Sequence, residues 1–170
     1  MRKRIAAGAI LALALSCSAL AQKVTVDWDH NVHNFASFQT YQWTKPVRPS
    51  ANPLMDQRIV QAIDEQMTAK GLRQVDSRPD VFVTYHTGIQ RQQSATVMGT
   101  GPRRLGGMGT VVPNISNSGT LVVDINAGQT KQLLWRGTAT DTLSDKPDKN
   151  SKKIEKAVTN MFKKYPPQTK

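Results

Sequence analysis

Between Asn52 and Gly71 the chain spells out a complete amphipathic helix, and that segment restricts the fold more than any other. Asn52 is an N-cap, and Pro53 follows it at the first helical position, where a missing N–H is not needed. Met55, Ile59, Ile63 and Met67 fall four apart, and Leu54 and Val60 widen the same stripe. Lys70-Gly71 closes the helix, because glycine enters the left-handed region at little cost. One stripe is apolar and the rest is polar, so the helix must lie on another layer. A second such helix is expected from about Lys149 to Lys164. Ile154, Ala157, Val158, Met161, Phe162 and Tyr165 share its apolar stripe, lysines fill the remainder, and Pro166-Pro167 stops it.

The layer those helices need is written in period two. Val24, Val26 and Trp28 alternate with Thr25, Asp27 and Asp29, and a second strand is expected through the aromatic run Phe35, Phe38, Tyr41 and Trp43. Leu72 to Val75 reads as a short strand, and Val81 to His86 as a firmer one after the turn at Arg78-Pro79-Asp80. Gln90 to Val97 extends it as a ribbon rich in glutamine, and Met98 to Pro113, with neither period, is expected to be a flexible glycine- and arginine-rich loop. Gly119 to Asn126 and Lys131 to Thr142 form a hairpin about a turn at Ala127 to Thr130. The expected fold class is α+β, a largely antiparallel sheet with both helices on one face. There is no internal repeat.

The first residues do not belong to that domain. Met1-Arg2-Lys3-Arg4 is a positive n-region, Ile5 to Leu15 is an apolar run too short to anchor in a bilayer, and Ala19-Leu20-Ala21 has the small-x-small form of a signal-peptidase site. Two expectations stay open here. Either residues 1–21 are a signal peptide, leaving 22–170 as one domain, or residues 1–16 are a lipoprotein signal and Cys17 carries lipid. The single cysteine allows no disulfide within one chain, so the core must supply the stability. Removing Arg2, Lys3 and Arg4 from 23 basic residues leaves 20 against 12 acids, a net of +8. That excess suits anionic envelope polymers or lipids as partners.

Asn52 to Ile59, Ala69-Lys70-Gly71-Leu72, Pro79 to His86, Gly119 to Asp124, Leu134 to Ala139 and Met161 to Pro167 lie in this order along the chain. Together they resemble a family of bacterial envelope proteins catalogued as domain of unknown function forty-one thirty-six. The resemblance spans nearly all of the chain after the signal. It implies an exported, often lipidated α+β domain and brings with it no catalytic residues. Two places depart from the family pattern: Asn34 stands where an acidic residue is usual, and His30 and His33 have no counterpart.

The candidate chemistry is thin beside that frame. Leu133 to Asn150 runs from an alternating strand through hydroxyls and carboxylates into the last helix, and chain geometry uses most of them. Thr138 and Thr140 suit a solvated strand face, and Ser144 or Asp145 can cap the helix that Pro147 and Asp148 begin. No histidine lies in this segment to activate a hydroxyl. Asp27-x-Asp29-His30-x-x-His33 has metal-ligand chemistry but matches no specific motif, and no metal or other cofactor is expected. Gly99 to Gly109 is no phosphate loop, since it lacks the Gly-Lys-Ser/Thr ending and Pro102 removes a donor.

Arg103, Arg104, Lys152, Lys153 and Lys156 are the candidate contacts to an anionic surface. Lysine-rich attraction of this kind is salt-sensitive and not base-specific, so no specific nucleic-acid partner is expected. The leading expectation is a non-catalytic envelope domain, in the periplasm or on the periplasmic face of the outer membrane, that binds or supports another envelope component. The alternatives are adhesion to anionic polymers through the basic face, and a small periplasmic hydrolase. The hydrolase would need the fold to gather His86, Asp124 and Asp141.

Overall fold

The computed structural model of the chain describes residues 22–44, 50, 52–99 and 109–167. The segment expected to be a signal, Cys17, Arg103 and Arg104 lie outside the described residues. In chain order the elements are β1 (Lys23–Trp28), β2 (Thr40–Trp43), α1 (Pro53–Ala69), β3 (Arg73–Gln74), β4 (Val81–Gly99), β5 (Gly109–Ala127), β6 (Leu133–Thr142) and α2 (Pro147–Phe162). The helix read between Asn52 and Gly71 is bounded as its residues dictate. The Asn52 side chain accepts from the Leu54 N–H at 3.0 Å, and Gly71 takes φ of +87° just past the end.

The six strands form one sheet in the order β1-β6-β5-β4-β2-β3. It is mixed, which corrects the expectation of a largely antiparallel sheet. β2 runs parallel to both β3 and β4, while β4, β5, β6 and β1 pair antiparallel. The reason is α1: a helix returning the chain to the end where β2 began makes the next strands parallel to β2. Asp80 fixes that junction, since its carboxylate accepts the Gln39 and Thr40 N–H groups at 2.9 Å and the Thr40 hydroxyl at 2.8 Å.

Registry puts most of the buried apolar residues of the longer strands on one face. Val83 pairs with Ile125, which pairs with Trp135, which pairs with Trp28; one step along, Tyr85, Val123, Gly137 and Val26 line up in the same way. Both helices cover this face. Tyr41 Oη and Trp43 Nε1 donate to Asp64 of α1 at 2.7 and 2.8 Å, and Tyr85 Oη donates to Asp56 at 2.8 Å. Under α2, Trp135, Phe162 and Tyr165 pack with ring centroids 5.3 to 5.9 Å apart. Gly137 is small because Met161 and Trp135 fill the space above it: a Cβ there would lie 2.6 Å from the Trp135 ring and 2.8 Å from Met161 Sδ. Burying this face is the main favourable term of the fold.

Three boundaries differ from the sequence reading. Phe35–Ser37 is a 3-10 turn and not the start of a strand, and it inserts Phe35 edge-on against Phe38 and Tyr165. The loop expected from 98 to 113 is entered by strand from both sides, since β4 continues to Gly99 and β5 starts at Gly109, where the two residues pair, and its centre, 100–108, lies outside the described residues. Backbone pairing holds such a ribbon where neither face carries a regular apolar stripe. Finally, α2 begins at Pro147 behind Lys146, whose side chain makes no cap. Asn150 reaches back instead: its Oδ1 accepts from the Ser144 N–H at 2.8 Å, and its Nδ2 donates to the Ser144 carbonyl at 2.7 Å.

Candidate functional site

The sheet face turned away from the helices is mostly polar, with Phe82 and Val122 as exceptions. His86 sits across from Val122, Thr138 and Thr25, and Thr84 across from Asp124, Arg136 and Asp27. At the centre of these rows lies Asp124, only 4 % exposed although no helix covers it. Its neighbours do the covering. Arg136 grips it with both arms of the guanidinium, Nε donating to Oδ1 and an Nη to Oδ2, each at 2.6 Å. His86 Nε2 lies 3.2 Å from Oδ2. The hydrogen bonds to Asp124, with the charges of Asp124 and Asp27 behind them, raise the Arg136 pKa above its ordinary value.

The strands explain why these three side chains meet. Asp124 and Arg136 are direct partners across β5 and β6, and His86 stands two residues past Thr84, the β4 partner of Asp124. A bulge between Ile125 and Asn126 shifts β6 against β5 just beside this point, so Leu134 is taken inward and Arg136 comes opposite Asp124. Sequence reasoning singled out His86 and Asp124 but not Arg136, since the pairing depends on that bulge. Thr84 Oγ1, buried beside them, has no hydrogen-bond partner among the described residues.

The third residue of the hydrolase constellation is elsewhere. Asp141 is on the helix side, where Lys153 Nζ donates to its Oδ1 at 3.0 Å and Gln22 Nε2 to its Oδ2 at 3.4 Å. The structure therefore brings together His86 and Asp124 and leaves Asp141 out. Neither His86 nor Asp124 lines the cavity between helices and sheet or the shallow hollow of about 280 Å³ at Asp27, Asn31, Gln132 and Arg136.

The remaining candidates are placed as follows. Asp29 Oδ1 accepts from the Asn31 N–H and side chain, and Asp29 Oδ2 from Gln132 Nε2 at 2.7 Å. His30 packs its ring on Trp28 at 4.9 Å. No three His, Cys, Asp or Glu side chains gather as a metal site among the described residues. Thr140 Oγ1 lies 3.1 Å from Thr120 Oγ1, and Ser144 Oγ accepts from the Lys146 N–H, so neither stands beside an imidazole. Lys152 and Lys156 are exposed, whereas Lys153 is half-buried in its contact with Asp141. No described helix is long and apolar enough to cross a membrane.

Among solved structures the chain is similar to a PDZ domain protein from Parabacteroides distasonis, with 17 % identity and a TM-score of 0.57 over 88 % of this chain and 36 % of that one. It thus spans about a third of that relative, and the likeness concerns the fold alone. It also matches the PelC dodecamer from Paraburkholderia phytofirmans, at 10 % identity and a TM-score of 0.48 over 85 % of this chain and 94 % of that one. A minor lipoprotein from Acinetobacter baumannii matches at 8 % identity and a TM-score of 0.39, over 75 % and 91 % of the two chains. No curated protein matches. Residues 24–167 match the model for Domain of unknown function (DUF4136), and the chain belongs to that family.

Proposed function

We propose that the chain is a non-catalytic module of the bacterial envelope, and that its helix-free sheet face binds another envelope component. One observation carries this reading. The strongest polar constellation, Asp124 with Arg136 and His86, lies on an open sheet, and its carboxylate already spends both oxygens on these two side chains. A general base serves a nucleophile within hydrogen-bond reach, and Thr84, the nearest buried hydroxyl in register, makes no bond to His86. A rigid, planar array of threonines around one fixed cation suits recognition of a protein or polymer surface better than turnover. The signal-like first residues of the sequence support a partner in the periplasm or on the outer membrane's inner face.

The test is a pair of substitutions that leave the cluster intact. Thr25 and Thr138 face each other across β1 and β6 on this surface, beside Arg136. Replacing both by arginine is expected to leave the melting temperature within about 2 °C, since surface changes alter stability little. Partners crosslinked and captured from intact cells should then be lost. Unchanged capture by the doubly substituted protein would reject the proposal. The hydrolase reading is weaker, because Asp141 is committed to Lys153 and Gln22 on the other side of the sheet.

A further inference from the structure

The sandwich is not filled evenly. Toward one end the large rings of Trp135, Phe162, Tyr165 and Tyr41 are buried between sheet and helices. Toward the other, Ala139 on β6 and Ala157 on α2 present small side chains, while Leu143 fills the space above Gly119 of β5. What remains is a cavity of about 270 Å³, walled by Met55 and Ile59 of α1, Leu121, Ala139, and Ile154 and Ala157 of α2. Its wall is overwhelmingly carbon, which holds water poorly, and a void of that size left empty costs stability in proportion to its volume.

The mouth has a different character. Asp141 and Lys153 line it, with Gln22 and Asn150 beside them and Ile89, 68 % exposed, at its outer edge. Both Asp141 oxygens already accept hydrogen bonds, Oδ1 from Lys153 and Oδ2 from Gln22. Lys153 donates to Asp141 and to the Thr142 carbonyl, and an ammonium has three N–H groups, so one remains for a further acceptor. A charged donor above an apolar cleft complements a molecule with one aliphatic chain and an anionic head. The volume lies below the usual range for drug-sized ligands and so suits one chain, not two.

We infer that this cavity between α1, α2 and the sheet binds a single-chain anionic amphiphile, its chain among Ile59, Leu121 and Ala157 and its head at Lys153. The inference is independent of the open sheet face. It is tested by calorimetric titration of the full chain, purified after native export and stripped of lipid, with octanoate, decanoate and decanol. Decanoate should bind at one site, with affinity rising about fourfold for each added methylene from octanoate. Decanol should bind at least tenfold more weakly. Lys153→Gln should abolish the preference of decanoate over decanol while leaving decanol binding intact, and Ile89→Glu, at an exposed strand position that tolerates change, should weaken both. Absence of saturable binding, affinity independent of chain length, or binding indifferent to Ile89→Glu would overturn the site. Decanol as tight as decanoate in the unaltered protein would overturn the anionic head.

Discussion

Replacing Arg136 by methionine asks whether Asp124 depends on its partner. Methionine keeps much of the arginine stem's apolar contact and removes the charge. Asp124 would then be a carboxylate 4 % exposed, with its two bonds of 2.6 Å gone and only His86 at 3.2 Å left. Removing one member of a buried ion pair typically costs about 3–5 kcal/mol, because the other charge stays desolvated. The Arg136 side chain is 47 % exposed, so water can reach the vacated place, and the expected loss falls to about 2–3 kcal/mol. For a domain of this size that lowers the melting temperature by roughly 5–10 °C.

Urea unfolding at pH 7 of Arg136→Met, Asp124→Asn and the double variant completes the cycle. The double variant should be more stable than the two single losses predict, by about 1 kcal/mol or more, since the second change removes the stranded charge. A loss under about 0.5 kcal/mol for Arg136→Met, or simple additivity, would refute the view that this pair organises the open face.

Three further outcomes follow from named contacts. Gly128→Ala should destabilise by more than about 2 kcal/mol in urea unfolding, because a Cβ there would lie 2.0 Å from the Pro79 carbonyl oxygen and 2.8 Å from that of Asp80, both unyielding backbone. Burial pushes the Tyr165 phenol up to about 12, and its hydroxyl has no hydrogen-bond partner among the described residues. The folded state therefore favours the neutral phenol, and the stability this contributes is complete below pH 10 and lost as pH rises toward 12. Tyr165→Phe should be neutral or stabilising by up to about 1 kcal/mol at pH 7, and should flatten the decline between pH 10 and 12 in alkaline melts. The backbone N–H of Gln39, followed by the Thr40 hydroxyl, holds the Asp80 carboxyl below its usual value of 3.8. That contribution is present above pH 3.8 and lost as pH falls through the lower folded value, so wild type should lose more stability than Asp80→Asn on acidification from pH 5 to pH 2.

Particular residues show what could be read in the chain and what could not. α1 was legible because cap, stripe and stop are all local: Asn52-Pro53 at one end, Gly71 at the other. The direction of β2 was not, since alternation says which residues share a face but nothing of which way a neighbouring strand runs. Tyr41 and Trp43 read as strand residues, yet their parallel pairing with Val81 and Val83 follows only once α1 is seen to carry the chain back. Phe35 and Phe38 gave an aromatic rhythm that the 3-10 turn breaks, because both rings are needed at the end of the core and not along the sheet. From Gln90 to Ala95 the ribbon has two solvated faces, which leaves its extent without a hydrophobic signature. In the site, His86 and Asp124 were visible as residue types. Arg136 was not, because its place opposite Asp124 depends on the bulge that takes Leu134 inward, and one residue of register changes every partner.

The same loss of local information applies to the stretch from Thr140 to Asn150. Its hydroxyls and amide serve the strand end and the helix start, as Thr140 with Thr120 and Asn150 with Ser144 show, and none meets a histidine. Polar residues concentrated at a strand-to-helix junction are thus accounted for by backbone groups that need partners.

The claim that the open sheet face is the contact surface is tested most directly by photocrosslinking in living cells from single positions on the two sides of the molecule. A photoreactive residue at Thr25 or Thr138, on the face with Arg136, should give a discrete heavier adduct, while one at Gln61 of α1 or Lys152 of α2 should give none. Adducts formed from Gln61 or Lys152 and absent from Thr25 and Thr138 would place the contact on the helices and contradict the proposal.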